Sequence, residues 1–160
     1  MRDVPCHDAR MSTSASIDTD PRIGLARELF AAWSSGKPDA PEPLLASDAV
    51  LSDIVGGTHH GWPAIRAFFA RGLEIWPDLV LEPERYWVNE DGVALSWVMS
   101  ATVTDAVAPR FGAGNVGRRW RSEGMSWLDI VDGRVRREVD YHDGGAPVRS
   151  LQSAAPEAGS

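Results

Sequence analysis

One cysteine, Cys6, stands among 160 residues. A lone thiol can neither close an intrachain disulfide nor build a cysteine-based metal site, and a reducing, cytoplasmic location is expected. Positive charge is also scarce. Against 23 Asp and Glu there are 16 Lys and Arg, a formal net charge of -7, and such a surface repels phosphate backbones, so nucleic acid is excluded as a partner. The one basic run, Arg118, Arg119 and Arg121, is broken by Trp120 and reads as strand alternation. Long apolar stretches are missing too. The opening MRDVPCHDARMSTSASIDTD mixes both charge signs, so neither a signal peptide nor a membrane anchor is expected there. No internal repeat recurs. Gly56-Gly57 lacks the following lysine of a phosphate-cradling loop.

What is present divides into a small-polar head, a patterned body and a small-polar end. Residues 1–20 read as a disordered tail, with Met11 a more ordinary start and 1–10 a candidate upstream extension; residues 153–160 read as a second tail. Between them, at 21–152, lies one domain. Asp20-Pro21 is a helix-start signal, and Ile23, Ala26, Leu29, Phe30 and Trp33 follow at helical spacing to a stop near Gly36. PEPLLASDA reads as a short second helix and AVLSDIV as a strand. In WPAIRAFFARGLEIW, Ile65, Phe68, Phe69, Leu73 and Trp76 form an apolar helical stripe.

From Leu79 the period changes to two. One hairpin is expected around Asn89-Glu90-Asp91-Gly92, and another around Asp132-Gly133. Between the hairpins, DAVAPRFGAGNVG reads as a long mobile loop, a candidate lid. Helices followed by long antiparallel strands imply an α+β fold: a curved antiparallel sheet forming a cone, with three N-terminal helices closing a pocket. The outer face of that sheet carries Val139 and Tyr141, which points to a homodimer across it.

The last strand holds the chemistry. In RREVDYHDGG, Glu138, Asp140 and His142 alternate, so strand geometry places all three on one face. Facing water they serve solubility; facing a cavity they are acid-base candidates. Asp140 could equally be a structural partner for Arg119 or Arg121. Asp53 ends the first strand, as a general base or as a cap on the turn before Gly56-Gly57. Adjacent His59 and His60 point apart and have no third histidine at a ligand-like spacing, so no metal site is expected.

These segments together carry a resemblance. ELFAAWSSGK, SDAVLSDIVGGTHHGWPAIRAFFA, WPDL, DGRVRREVDYHD and PVRSLQ, in this order over residues 22–152, resemble the nuclear transport factor 2-like superfamily and, within it, the SnoaL-like polyketide cyclases. The resemblance implies the cone with a helical lid, commonly dimeric, and a cofactor-independent cyclase or isomerase acting on an apolar small molecule. DAVLSDIVGG is similar to the general-base stretch of ketosteroid isomerases and assigns that role to Asp53; their oxyanion-hole positions fall on Leu29 and Ser126. VDYHD is similar to the last-strand motif of limonene-epoxide hydrolases, and SnoaL-like cyclases hold an acid-base aspartate on a late strand, which assigns it to Asp140. The hydrolase arginine and second aspartate fall on Trp97 and Met99. The implied site therefore comprises Asp53, Asp140 and His142 as catalytic residues. Glu138, Trp97, Met99, Trp33, Phe30, Trp120 and Ser126 are the implied substrate-binding residues.

Overall fold

The computed structural model describes residues 19–152; the expected tails at 1–18 and 153–160 lie outside the described residues. Helix α1, Pro21–Trp33, begins where the sequence signals it. The Asp20 side chain accepts the Arg22 N–H, and Pro21 occupies a first-turn position where its missing N–H costs nothing. Ile23, Ala26, Leu29, Phe30 and Trp33 are its buried stripe.

The expected second helix is a correction. Only Glu42–Leu44 is helical, as one 3₁₀ turn, and Leu45–Asp53 is strand β1. Local propensity favours a helix over LLASDA, but pairing on both sides decides otherwise. β1 is antiparallel to β2 (Gly57–His60) on one side and parallel to β6 (Arg134–His142) on the other. A register shift between Leu45 and Val50 disguises the period-2 pattern of its buried residues, Leu45, Ala49 and Leu51. β2 itself is a four-residue strand between β1 and the next helix.

Helix α2, Gly61–Ile75, follows directly and packs over β1 and β2. The long strands are β3 (Val80–Val88), β4 (Gly92–Thr102) and β5 (Arg119–Val131), completed by β6. Both expected hairpins form. Asn89 Oδ1 accepts the N–H groups of Asp91 and Gly92 at 2.9 and 2.8 Å, closing the first. Asp132 and Gly133 both adopt positive φ, 51° and 70°, closing the second in the hand that suits strand twist. The sheet order is β2-β1-β6-β5-β4-β3, antiparallel except for β1–β6, curved and unclosed. The α+β architecture is thus as expected from the sequence.

The segment between β4 and β5 is also a correction. It contains 3₁₀ turns at 105–107 and 113–115 around a short helix, α3, Ala108–Phe111. Phe111 is buried, edge-on to Trp76 at 5.3 Å. Paired hydrogen bonds, Val103 N–H to Arg118 O and Gly117 N–H to Val103 O, both 2.9 Å, pin its base. The segment is thus anchored through Phe111 and its base. Helix α4, Ala146–Gln152, packs on β5 and buries Leu151 in the same cluster as Phe111 and Trp120.

Candidate functional site

Register builds the site. Because β1 runs parallel to β6 with Asp53 beside Asp140, and β5 runs antiparallel to it with Ser126 beside Asp140 and Gly124 beside His142, these positions share one face. That face is the concave one. It forms the floor of a cavity of about 450 Å³, lined there by Asp53, Glu138, Asp140 and His142. The walls are apolar: Trp33 and Phe69 on the helices, Met99 and Trp120 on the strands, Trp76 and Leu79 beyond. The volume suits an organic ligand.

Each floor carboxylate has its own tether. Asp53 Oδ1 accepts the N–H groups of Val55 at 2.7 Å and Gly56 at 2.5 Å, while its Oδ2 lies 3.0 Å from His142 Nε2. Asp53 therefore both caps its turn and pairs with the histidine. Asp140 Oδ1 accepts from Ser126 Oγ at 2.5 Å, and Ser126 Oγ in turn accepts from Trp97 Nε1 at 2.7 Å. Glu138 Oε2 accepts from Trp33 Nε1 at 3.1 Å. The alternative arginine partners of Asp140 are occupied elsewhere. Arg119 bonds Asp78 at 2.7 Å, and Arg121 lies near Glu84 and Glu123.

These tethers and the dry surroundings separate the acids. Burial presses the Asp53 carboxyl upward, but the His142 hydrogen bond, the Gly56 and Val55 N–H groups and the histidine's charge together hold it below the ordinary range. His142 is raised by its hydrogen bond to Asp53, against the effect of its own burial. Each group therefore favours the charged form of the other. Asp140 is raised from 3.8 to about 7, chiefly by burial and further by the Asp53 charge, with the Ser126 hydrogen bond opposing. Glu138, only 3% exposed, is raised well above its usual value by burial and then by the charge of Asp140. The floor thus combines a carboxyl that titrates near 7, a second whose proton affinity is raised by burial, and a third held low beside a histidine that is raised. Asp53→Asn is expected to lower the His142 pKa, because the hydrogen-bonded anion that contributes most to raising it is lost and only the charges of Asp140 and Asp143 remain against burial; NMR titration of the ring measures it, and an unchanged midpoint removes Asp53 as the cause.

Three of the sequence-derived positions are not in the cavity wall. Phe30 is 1% exposed within the core under α1. Trp97 and Ser126, each 2% exposed, are not among the lining residues and are joined in a hydrogen-bond chain to Asp140. Other lining residues were not singled out: Phe68, Arg71, Gly72 and Ile75 of α2. Helical periodicity marks Phe68 as apolar-face but cannot say whether that face meets side chains or a hollow. Among the described residues no group of three or more His, Cys, Asp or Glu has metal-holding geometry. His59 stacks on Phe68 at 4.3 Å, and His60 sits at the start of α2. Nor, among the described residues, is any helix long and apolar enough to cross a membrane.

Comparison with known proteins adds a family. The profile described as a SnoaL-like domain matches residues 26–138. Among solved structures, IdmH of Streptomyces antibioticus, a candidate polyketide cyclase, superposes with a TM-score of 0.69 at 19% identity, covering 82% of this chain and 98% of that one. AclR of Streptomyces galilaeus, a candidate hydroxylase, gives 0.63 at 24% identity over 84% and 97%. A protein of Catenulispora acidiphila with a ketosteroid isomerase-like fold, in complex with trimethylamine, gives 0.68 at 18% identity over 79% and 90%. At these identities the likeness is one of fold. No curated protein is significantly similar in sequence.

Proposed function

The chain belongs to the SnoaL-like domain family, and we propose that it is a cofactor-independent cyclase of natural-product, polyketide-type biosynthesis that closes a ring in an apolar carbonyl substrate. The carrying observation is the set of three differently tethered carboxyls and one histidine on the floor of an apolar cavity. Asp140, titrating near 7, takes a proton from the carbon next to a carbonyl. The electron pair left behind forms an enolate. Its carbon attacks a second carbonyl of the same chain, and the alkoxide so formed takes a proton from His142. Glu138 in its neutral form donates a hydrogen bond to the enolate oxygen. Asp53 remains ionised and orients the imidazole; His142 Nδ1 is buried and bonded to no protein atom among the described residues, which leaves its hydrogen-bonding capacity unspent.

The aromatic walls contribute by folding the chain. Well-oriented intramolecular reactions reach effective molarities of about 10⁵–10⁸ M, so preorganisation by Trp33, Met99 and Trp120 carries a large share even of an acid-base cyclisation. Two neighbouring activities fit less well. The position of the isomerase tyrosine is Leu29, fully buried, and those of the hydrolase arginine and second aspartate are Trp97 and Met99, which carry no charge. A non-catalytic binding protein would use the same cavity but return its ligand unchanged. Deuterium uptake from heavy water into 2-tetralone, followed by mass spectrometry, isolates the proton-transfer step without the native substrate. Acceleration by the protein supports the acid-base reading, and a rate equal to buffer sinks it.

The outer face of the sheet supports a dimer as part of this reading. Trp87, Met125, Trp127 and Tyr141 are exposed there, between 37% and 57%, in a patch that a second copy would cover. Sedimentation equilibrium is expected to give twice the chain mass, and Trp127→Lys to return the monomer; a wild-type monomer at micromolar concentration overturns it.

A further inference from the structure

The cavity is asymmetric along its length. Its floor is acidic, with Glu138 3% exposed, whereas Arg71 and Ile75 of α2 are lining residues that are exposed. Arg71 is the single cation among the lining residues besides His142, which is already engaged with Asp53. No carboxylate among the described residues pairs with Arg71: Asp39 takes Arg66, Asp78 takes Arg119, and Glu74, three residues further along α2, stays apart. Two of the other exposed lining residues, Ile75 at 42% and Val55 at 57%, are apolar.

We propose that Arg71 is an anion-recognition residue at the cavity mouth and that the ligand is an elongated aromatic or polyene skeleton ending in a carboxylate or similarly acidic group. The proposal deepens the cyclase reading and rests on the same cavity. Direction follows from charge. An anion entering acid end first would meet Asp53, Glu138 and Asp140, where its own burial and their charges oppose it. Entering the other way, its apolar body fills the walls, its carbonyl end reaches Asp140, and its anionic end remains at the rim within reach of a planar five-donor fork that suits carboxylates. Arg71 thereby fixes which end of the substrate meets the acids.

Two dyes of one skeleton test this by binding alone: 8-anilinonaphthalene-1-sulfonate, an anion, and N-phenyl-1-naphthylamine, which lacks the sulfonate. Arg71→Gln is expected to weaken the sulfonate about fivefold and the neutral dye by less than about twofold, with Arg71→Lys intermediate for the anion. Gly72→Leu, at a lining position whose added side chain meets nothing within 4 Å at Cβ, is expected to weaken both. Equal effects of Arg71→Gln on the two dyes, no effect on the anion, or sulfonate binding that survives Gly72→Leu overturns the proposal. Because no turnover is read, an enzyme that fails to exchange protons in heavy water still gives a clear answer here.

Discussion

Replacing Asp140 by asparagine is expected to cut deuterium uptake into 2-tetralone by about 10²–10⁴-fold, the usual contribution of a positioned general acid or base, while making the folded protein more stable at alkaline pH. The two effects share one cause. Asp140 is raised from 3.8 to about 7 because its ionised form is buried among other acids. Between those values the unfolded chain has released the proton and the folded chain still holds it, so stability falls as pH rises through this window. Above pH 7 the whole penalty is present; below 3.8 it is absent. At roughly 1.4 kcal/mol per pH unit the full shift amounts to about 4 kcal/mol. Hydration from the cavity reduces that to about 2 kcal/mol. Asparagine keeps an oxygen to accept from Ser126 and carries no charge at any of these pH values. Urea unfolding at pH 8.5 should therefore show the variant ahead by about 2 kcal/mol, and at pH 4 the two proteins level. Equal stability at pH 8.5 would mean that the carboxylate is solvated, and the case for an activated base would go with it.

Gly124→Ala should damage the same carboxyl from a distance. A Cβ at Gly124 would lie 2.3 Å from Cη2 and 2.5 Å from Cζ2 of Trp97, far inside contact distance. The indole, 2% exposed, lies across this glycine, so the added methyl and the ring cannot both keep their places. Overpacking of this kind costs about 1–3 kcal/mol, read as a fall in Tm of about 2–4 °C for each kcal/mol in a chain of this size. Displacing the ring also withdraws its N–H from Ser126, which then no longer points its own hydroxyl at Asp140. An additional loss of about tenfold in proton exchange is expected, with the acid limb of the pH-rate profile shifted upward, because the hydrogen bond that opposes the raised Asp140 pKa is weakened. Trp97→Phe, which keeps most of the ring and deletes the N–H, should reproduce the kinetic effect with less loss of stability. If Gly124→Ala lowers Tm while the rate and its pH profile stay put, Trp97 and Ser126 serve packing alone.

How much of this was legible beforehand depends on the range of the interaction involved. The alternation of Glu138, Asp140 and His142 is readable from the sequence, since strand side chains alternate whatever the neighbours. The Asp132-Gly133 turn is equally local, and so is the stripe on α1 that begins at Asp20. Within β1, Ala49–Asp53 is a strand as expected, whereas Leu45–Asp48, expected as helix, is strand because its state is decided by pairing with β6, more than eighty residues away along the chain. Trp97 and Ser126, expected from the resemblance to bind substrate, do not line this cavity and are hydrogen-bonded in a chain to Asp140. Inner-face alternation gives the side of the sheet but not the depth at which a side chain ends.

Sequence alone determined the periods, the turns, the acidic balance and the fact that one face of the last strand is ionisable. Tertiary structure decided that this face is concave, that Asp53 sits beside Asp140 and bonds His142, and that Arg71 stands at the open end. The division is physical. A period is set by backbone geometry within a few residues, whereas a shifted pKa and a cavity are sums over side chains brought together by parallel pairing of β1 with β6 and by the helices laid across them.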